Sequence, residues 1–429
     1  MSLQVLEFSS EIPYLTISGH ENLKINVQDL AKFTLLVGPN ESGKTTILEL
    51  IGLTLIPLSN TEECGLGLSL INMLRPLEKA PRIPDYVLSR AKLSSNNEIM
   101  IIYVKIEPNN VEKTFKIIRK LSEENLENIS KIVTNILSIN IRNIPELIRK
   151  FFEDSEIELY SKFLRKEFIP RKGEKISLNS DDSLLEKLFE SYPYKLLLRA
   201  LDYVALVFVL SNNKLHKMLI IKGPDPIIVK EKHKYYDTSL IVFHPVISHV
   251  RGIVEELYRT YILDKKVIPN EKKAIEILSN YIKGFEGFEI IDIGKRQELH
   301  IKVNSKRISI YKLSDGYRLA VILSLLYAFS QPYSIYLIDT PEAFVHPDGL
   351  SIVSEIISEL AINTSQIILA TQSIELLKEL LTKVNEKSIS NMLTIKRISI
   401  KNSTIRDVGS WHGDTAYSSL MGLEIDLRI

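Results

Sequence analysis

The stretch Gly38-Pro-Asn-Glu-Ser-Gly-Lys-Thr45 constrains this chain more than any other. It follows the pattern G-x-x-x-x-G-K-[ST], a loop whose backbone cradles phosphate groups. Its flanks supply the required context. The apolar run Phe33–Val37 reads as a buried strand, and a helical pattern runs from Thr45 to about Leu55. Gly38 and Gly43 allow backbone conformations that a side chain would block. Loop residues Gly38, Pro39, Asn40, Glu41, Ser42 and Gly43, with Lys44, Thr45 and Thr46 at the helix start, form the candidate phosphate cradle. Lys44 is expected to reach the β- and γ-phosphates, and the Thr45 hydroxyl to hold Mg²⁺. The pattern implies a nucleoside triphosphate ligand.

Composition narrows the remaining possibilities. The chain has 429 residues, enough for several domains. At 45% hydrophobic and 25% charged it is ordinary globular material. A net charge of +1 excludes a strong global preference for nucleic acid or acidic membrane, so any such surface must be local. The single cysteine, Cys64, excludes an intramolecular disulfide framework and fits a reducing cytoplasm. The N-terminus has no basic region followed by an apolar core, and no stretch of ~18 apolar residues exists, so a cytoplasmic location is expected. The histidines show no H-x-x-x-H spacing and no cluster with cysteine. His244 and His249 read as structural, and no zinc is expected.

The second half of the chain supplies partners for the loop. Ile335-Tyr-Leu-Ile-Asp-Thr-Pro-Glu342 describes a buried strand that delivers Asp339 at its C-terminal end. Ligands of α/β sheets sit at that end. Asp339 is the candidate Walker B carboxylate for Mg²⁺. Glu342 is placed to polarise an attacking water, or to cap a following helix. Upstream, Leu313-Ser-Asp-Gly-Tyr-Arg318 precedes the apolar run Leu319–Phe329 and reads as a helix start. Ser314 and Gly316 there offer either a second anion site or a plain helix cap.

L-S-D-G before an apolar helix, then Asp339-Thr-Pro-Glu-Ala-Phe-Val-His-Pro347, then Ile367-Ile-Leu-Ala-Thr-Gln-Ser373 resembles the ABC-type ATPases of the SMC, RecF and OLD group. The likeness is greatest to its stand-alone ATP-binding members and covers roughly residues 1–60 and 285–429. It implies an α/β fold: a P-loop NTPase with an ABC-type ATPase head, a mixed central sheet flanked by helices. It implies ATP and Mg²⁺ as ligands, with Thr45 and Asp339 on the metal. It also implies a homodimer closed around ATP, in which Ser314 and Gly316 of one subunit contact the γ-phosphate held by Lys44 of the other. Glu298–Tyr311 fits this as a hairpin with an Asn-Ser-Lys turn leading into the signature.

The departures from that pattern bear on catalysis. The family places a glutamate directly after the Walker B aspartate, where this chain has Thr340. The family's switch histidine is replaced by Gln372, which donates hydrogen bonds but carries no charge. No glutamine lies between Gln28 and Gln297, so the family's lid-loop glutamine is absent or replaced. Slow hydrolysis is expected, since a lost general base costs ~10²–10⁴-fold. Asp339, Glu342 and Gln372 are the candidate catalytic residues.

Three regions are expected: 1–110, the first part of the head with its P-loop; 111–235, a compact, mainly helical insertion ending in a β-hairpin; and 236–429, the rest of the head with signature, Walker B and switch segment. Asn143 reads as a helix cap with Pro145 in the first turn. Tyr203–Leu210 and Leu215–Lys222 read as the hairpin. No heptad pattern persists, so long coiled-coil arms are not expected. Tyr160–Lys175 holds six basic and two acidic residues with interleaved aromatics. Lys162, Arg165, Lys166, Arg171 and Lys172 are therefore candidate DNA contacts, with a smaller cluster at Lys230–Lys234. A solvated helix face explains the same charges equally well.

The leading expectation is a slow ATPase acting in DNA maintenance, repair or defence. The sequence after Thr371 has no room for the nuclease domain of OLD proteins, so a separate effector is expected. A regulatory switch with negligible turnover is the alternative, favoured by Thr340 and Gln372. A transporter ATPase subunit is the remaining class, disfavoured by the D-x-P-E-x-x-x-H-P string and the long insertion.

Overall fold

The computed structural model describes residues 3–12, 23–58, 86–94, 97–106, 111–123, 126–140, 142–153, 155–160, 175–179, 183–190, 201, 203–211, 214–222, 227–231, 239–243, 268–293, 296–343 and 345–422. The first part holds β1 (Val5–Ile12), β2 (Leu23–Val27), β3 (Phe33–Val37), α1 (Lys44–Leu55), β4 (Tyr86–Leu93) and β5 (Glu98–Ile106). There follow α2 (Val111–Glu123), α3 (Glu127–Leu137), α4 (Ile144–Phe152), β6 (Glu156–Tyr160), β7 (Lys175–Asn179) and α5 (Ser183–Glu190). Next come β8 (Tyr203–Ser211), β9 (Lys214–Lys222), β10 (Ile227–Glu231), β11 (Ser239–Phe243) and α6 (Glu271–Tyr281). Then β12 (Phe285–Ile293), β13 (Arg296–Val303), β14 (Lys306–Ser309), α7 (Asp315–Ala328), β15 (Ser334–Asp339) and α8 (Leu350–Asn363). The chain continues with β16 (Gln366–Ala370), α9 (Ile374–Glu386), β17 (Leu393–Lys401), β18 (Thr404–His412) and α10 (Gly413–Gly422).

Fifteen strands form one mixed sheet in the order β11-β15-β16-β3-β17-β18-β2-β1-β4-β5-β8-β9-β10-β6-β7. From β11 to β17 the neighbours are parallel. From β2 to β7 they are antiparallel. The parallel strands are buried on both faces, which is why β3, β15 and β16 read as unbroken apolar runs. Their alternation sorts them between two cores. Phe33, Leu35, Tyr336, Ile338, Ile367 and Leu369 meet residues of α6 to α9 on one face. Leu36, Ile335, Leu337, Ile368 and Ala370 meet α1 on the other. Polar anchors fix the register at one margin: the buried Gln366 side chain accepts from the Val5 amide at 2.9 Å and donates to the Val5 carbonyl at 2.8 Å.

The middle region carries α2 to α5 and also five strands that prolong the antiparallel half of the sheet. The amphipathic helices cover its outer face in a third core, where Phe151 meets Phe152 and Phe208 edge-on. Asn143 caps α4, its Oδ1 accepting from the Glu146 amide at 3.4 Å. β8 and β9 pair from Tyr203↔Lys222 to Ser211↔Lys214, where the sequence predicts a hairpin. A separate three-stranded sheet, β12-β13-β14, turns at Asn304 and Ser305, both with positive φ, and leads into α7. Among the described residues, no helix is long and apolar enough to cross a membrane.

Candidate functional site

The P-loop leaves the C-terminal end of β3 and enters α1. Gly38 has a φ of 148°, and a Cβ there would lie 2.5 Å from the Ile398 carbonyl oxygen. Gly43 has a φ of 94°, and its Cβ would lie 2.3 Å from the Ile405 side chain. Each glycine is thus required twice, by conformation and by the close approach of β17 or β18.

Lys44 folds across the loop it terminates. Its ammonium donates to the Gly38 carbonyl at 2.9 Å, the Pro39 carbonyl at 2.8 Å and the Ser42 hydroxyl at 3.2 Å. Only 4% of the residue is exposed. Burial pushes the ammonium below the ordinary lysine value, while the Asp339 and Glu342 carboxylates pull it back. Those two acids therefore lie within electrostatic reach of the cradle.

The adjacent Thr45 hydroxyl donates to Asp339 Oδ2 at 2.8 Å. Asp339 ends β15 and is 5% exposed. A hydroxyl and a carboxylate in contact at this point are hard oxygen donors of the kind that suits Mg²⁺. The donor set fits the metal that a P-loop implies.

Beyond Asp339 the chain turns sharply. Thr340 adopts a φ of 43°, which is rare for a β-branched residue. Its amide still donates to the Ala370 carbonyl at 2.8 Å, extending the β15–β16 pairing. The turn brings Glu342 against the segment that follows β16. Glu342 Oε1 accepts from the Thr371 hydroxyl at 2.8 Å and from the Gln372 amide at 2.9 Å. Glu342 Oε2 is buried with no hydrogen-bond partner among the described residues. The helix-cap reading of Glu342 does not fit, because α8 starts at Leu350 with Gly349 at its cap.

Gln372 joins the site through its backbone, and its residue is exposed. Ser373 caps α9, accepting from the Leu376 amide at 3.0 Å. Ser314 and Gly316 stand at the N-terminus of α7, where Ser314 makes no side-chain cap hydrogen bond. The turn before them is held by Arg318, which donates to the Leu313 carbonyl at 2.8 Å and pairs with Asp315 at 3.0 Å. Among the described residues, no hydrogen bond joins Ser314 or Gly316 to the P-loop. Tyr311 and Tyr317 flank them, 38% and 52% exposed.

Lys162, Arg165, Lys166, Arg171 and Lys172 lie outside the described residues, as do Cys64, His244 and His249. Lys230, grouped with the second basic cluster on sequence, is 5% exposed within β10 and does not offer a solvated cation. Thr371 is the residue that sequence reading passed over. The only signal was its place after an apolar strand, beside the more conspicuous Gln372.

The family model described as AAA ATPase domain matches residues 19–377. An uncharacterised protein of Methanocaldococcus jannaschii, MJECL11, is 33% identical over 86 residues, which is 20% of this chain and 75% of that protein. The Smc head domain with an extended coiled coil from Pyrococcus furiosus, solved bound to the C-terminal domain of ScpA, aligns with 99% of this chain and 100% of that one, at 13% identity and a TM-score of 0.42. The SMC head domain from Thermotoga maritima aligns with 95% of this chain and 98% of that one, at 11% identity and a TM-score of 0.34.

Proposed function

The chain belongs to the AAA ATPase domain family, and we propose that it binds ATP with Mg²⁺ and hydrolyses it slowly, closing as a homodimer around the nucleotide. The observation that carries this reading is the contact of Thr45 with Asp339 at 2.8 Å beside the buried Lys44. The loop amides and Lys44 take the β- and γ-phosphates. Thr45 and Asp339 would hold Mg²⁺, whose charge offsets that of the phosphate oxygens.

Glu342 is the base in this reading. It takes a proton from water, the water oxygen bonds to the γ-phosphorus, and the bond from that phosphorus to the bridging oxygen breaks. ADP and inorganic phosphate leave, and the proton returns to solvent. Thr340 supplies no carboxylate at the family's usual position, so Glu342 is the next acidic group along the turn. Across the dimer, Ser314 and Gly316 of one subunit complete the γ-phosphate site of the other. Gln372 contributes a neutral donor there.

The biological setting is read from the D-x-P-E-x-x-x-H-P string and its resemblance to the SMC, RecF and OLD group. It is DNA maintenance, repair or defence with a separate effector, in the cytoplasm, and the basic stretch 162–172 is the candidate DNA surface. The second reading is an ATP-gated switch with negligible turnover, supported by Thr340 and by the exposed, uncharged Gln372. Phosphate release by the purified protein, with and without DNA, separates the two. Turnover stimulated by DNA supports the first, and stoichiometric ATP binding without release supports the second.

A further inference from the structure

The Glu342 carboxylate is gripped at one oxygen only. Both of the donors it receives, the Thr371 hydroxyl and the Gln372 amide, converge on Oε1. Oε2 is buried and has no hydrogen-bond partner among the described residues. A buried carboxylate oxygen without a donor is costly unless something meets it there.

Thr371 is itself fixed from three directions. Its amide donates to the Leu36 carbonyl at 3.1 Å, near the end of the strand that feeds the P-loop. Its hydroxyl accepts from the Ser373 amide at 3.1 Å while donating to Glu342. The residue is 1% exposed. The hydroxyl proton therefore has one defined direction, toward Glu342. Glu342 and Asp339 of β15 both act electrostatically on Lys44 of α1.

A base held by a second group, with one atom left for the substrate, is the arrangement that proton abstraction requires. We propose that Thr371 is a positioning residue for ATP hydrolysis: with the Gln372 amide it pins Glu342 Oε1, leaving Oε2 as the atom that meets the attacking water. The inference rests on the reading of Glu342 as the base. In the step itself the water proton passes to Oε2, the water oxygen bonds to the γ-phosphorus, and ADP departs with the bridging oxygen. Thr371 keeps its proton throughout.

The test compares full-length Thr371→Val, Thr371→Ser and Glu342→Gln with the parent. Single-turnover hydrolysis, affinity for a fluorescent ATP analogue and melting temperature are measured for each. Loss of one hydrogen bond to a charged group predicts hydrolysis about ten- to a hundredfold slower in Thr371→Val. Its affinity for the analogue stays at the parental value, and Thr371→Ser, which keeps the donor, restores the rate. Should Thr371→Val not fold, Thr371→Ala takes its place with the same expectation. Parental hydrolysis by the Val or Ala variant overturns the proposal. So does a slow rate that Ser fails to rescue or that comes with weakened nucleotide binding. If Glu342→Gln hydrolyses at the parental rate, the base reading falls and Thr371 falls with it. If Glu342→Gln is inactive but still binds nucleotide while Thr371→Val is unimpaired, only the positioning role is lost.

Discussion

The Thr45 hydroxyl and Asp339 Oδ2 meet at 2.8 Å although 294 positions separate them in the chain. The contact joins the first turn of α1 to the end of β15, two elements of opposite halves of the sequence. It sets the order in which the site can be tested, because Asp339, at the end of β15, can be altered without touching the phosphate cradle. Asp339→Asn should reduce ATP turnover to background, as should removal of Mg²⁺ with a chelator. Added Mg²⁺ should restore the chelated parent and leave the variant inactive, in a phosphate-release assay. Turnover by Asp339→Asn at the parental rate would remove Asp339 from the metal site.

Lys44→Ala should weaken ATP binding by about 1.5–3 kcal/mol, the value of a hydrogen bond to a charged group, or roughly ten- to a hundredfold. The loss has a second component, since Lys44 also ties the Gly38 and Pro39 carbonyls together. Calorimetric titration with a slowly hydrolysed analogue reads both. Equal affinity in variant and parent would contradict the phosphate role.

Light scattering with Mg²⁺ and a non-hydrolysable ATP analogue should show the mass double, and Ser314→Arg should prevent it. A nucleotide that bound the closed dimer best would shift the population toward it. A mass that ignores nucleotide, whether monomer or dimer, is the contrary outcome.

Thr340 carries backbone strain directly after Asp339, with a φ of 43°. Replacing it by Gly should relieve about 1–3 kcal/mol of strain, less the 0.5–1 kcal/mol that Gly costs through chain entropy. Urea unfolding should show a net gain near 1 kcal/mol. Thr340→Glu puts the family's carboxylate back and should speed single-turnover hydrolysis by up to ~10²–10⁴-fold. No acceleration would mean that the turn aims residue 340 away from the γ-phosphate.

If Lys162, Arg165, Lys166, Arg171 and Lys172 contact DNA, affinity should fall steeply with salt. Each neutralised cation should then lower the slope by about 1. Fluorescence anisotropy with labelled duplex measures this. Binding that is unchanged when all five are replaced would leave these residues a solvated surface.

The family assignment agrees with the resemblance read from the L-S-D-G and D-x-P-E-x-x-x-H-P strings. Local features were legible because their causes are local. Phe33–Val37 is a strand at the predicted limits, since an apolar run bounded by turn residues leaves little else. Asn143 and Pro145 announce α4 through the chemistry of its first turn. What sequence could not supply is pairing between distant segments. That β8 pairs with β5, which draws the middle region into the main sheet, and that β10 pairs with β6 depend on strands far apart in the chain. The grip of Thr371 on Glu342 is of the same kind. Neither residue is unusual where it stands, and only the adjacency of β15 and β16 makes them partners.

The two P-loop glycines lie against Ile398 and Ile405, on the last pair of strands in the sheet. The loop is synthesised long before its backing wall. A nascent chain emerging from the ribosome therefore exposes the phosphate cradle without its floor until β17 and β18 have followed. Pairing at such long sequence separation is slow to form. ATP affinity should consequently arise late in folding and all at once, with β17 and β18 closing the site as they dock. A nucleotide bound to the finished loop would then hold β17 and β18 in place, making ligand and strands stabilise each other.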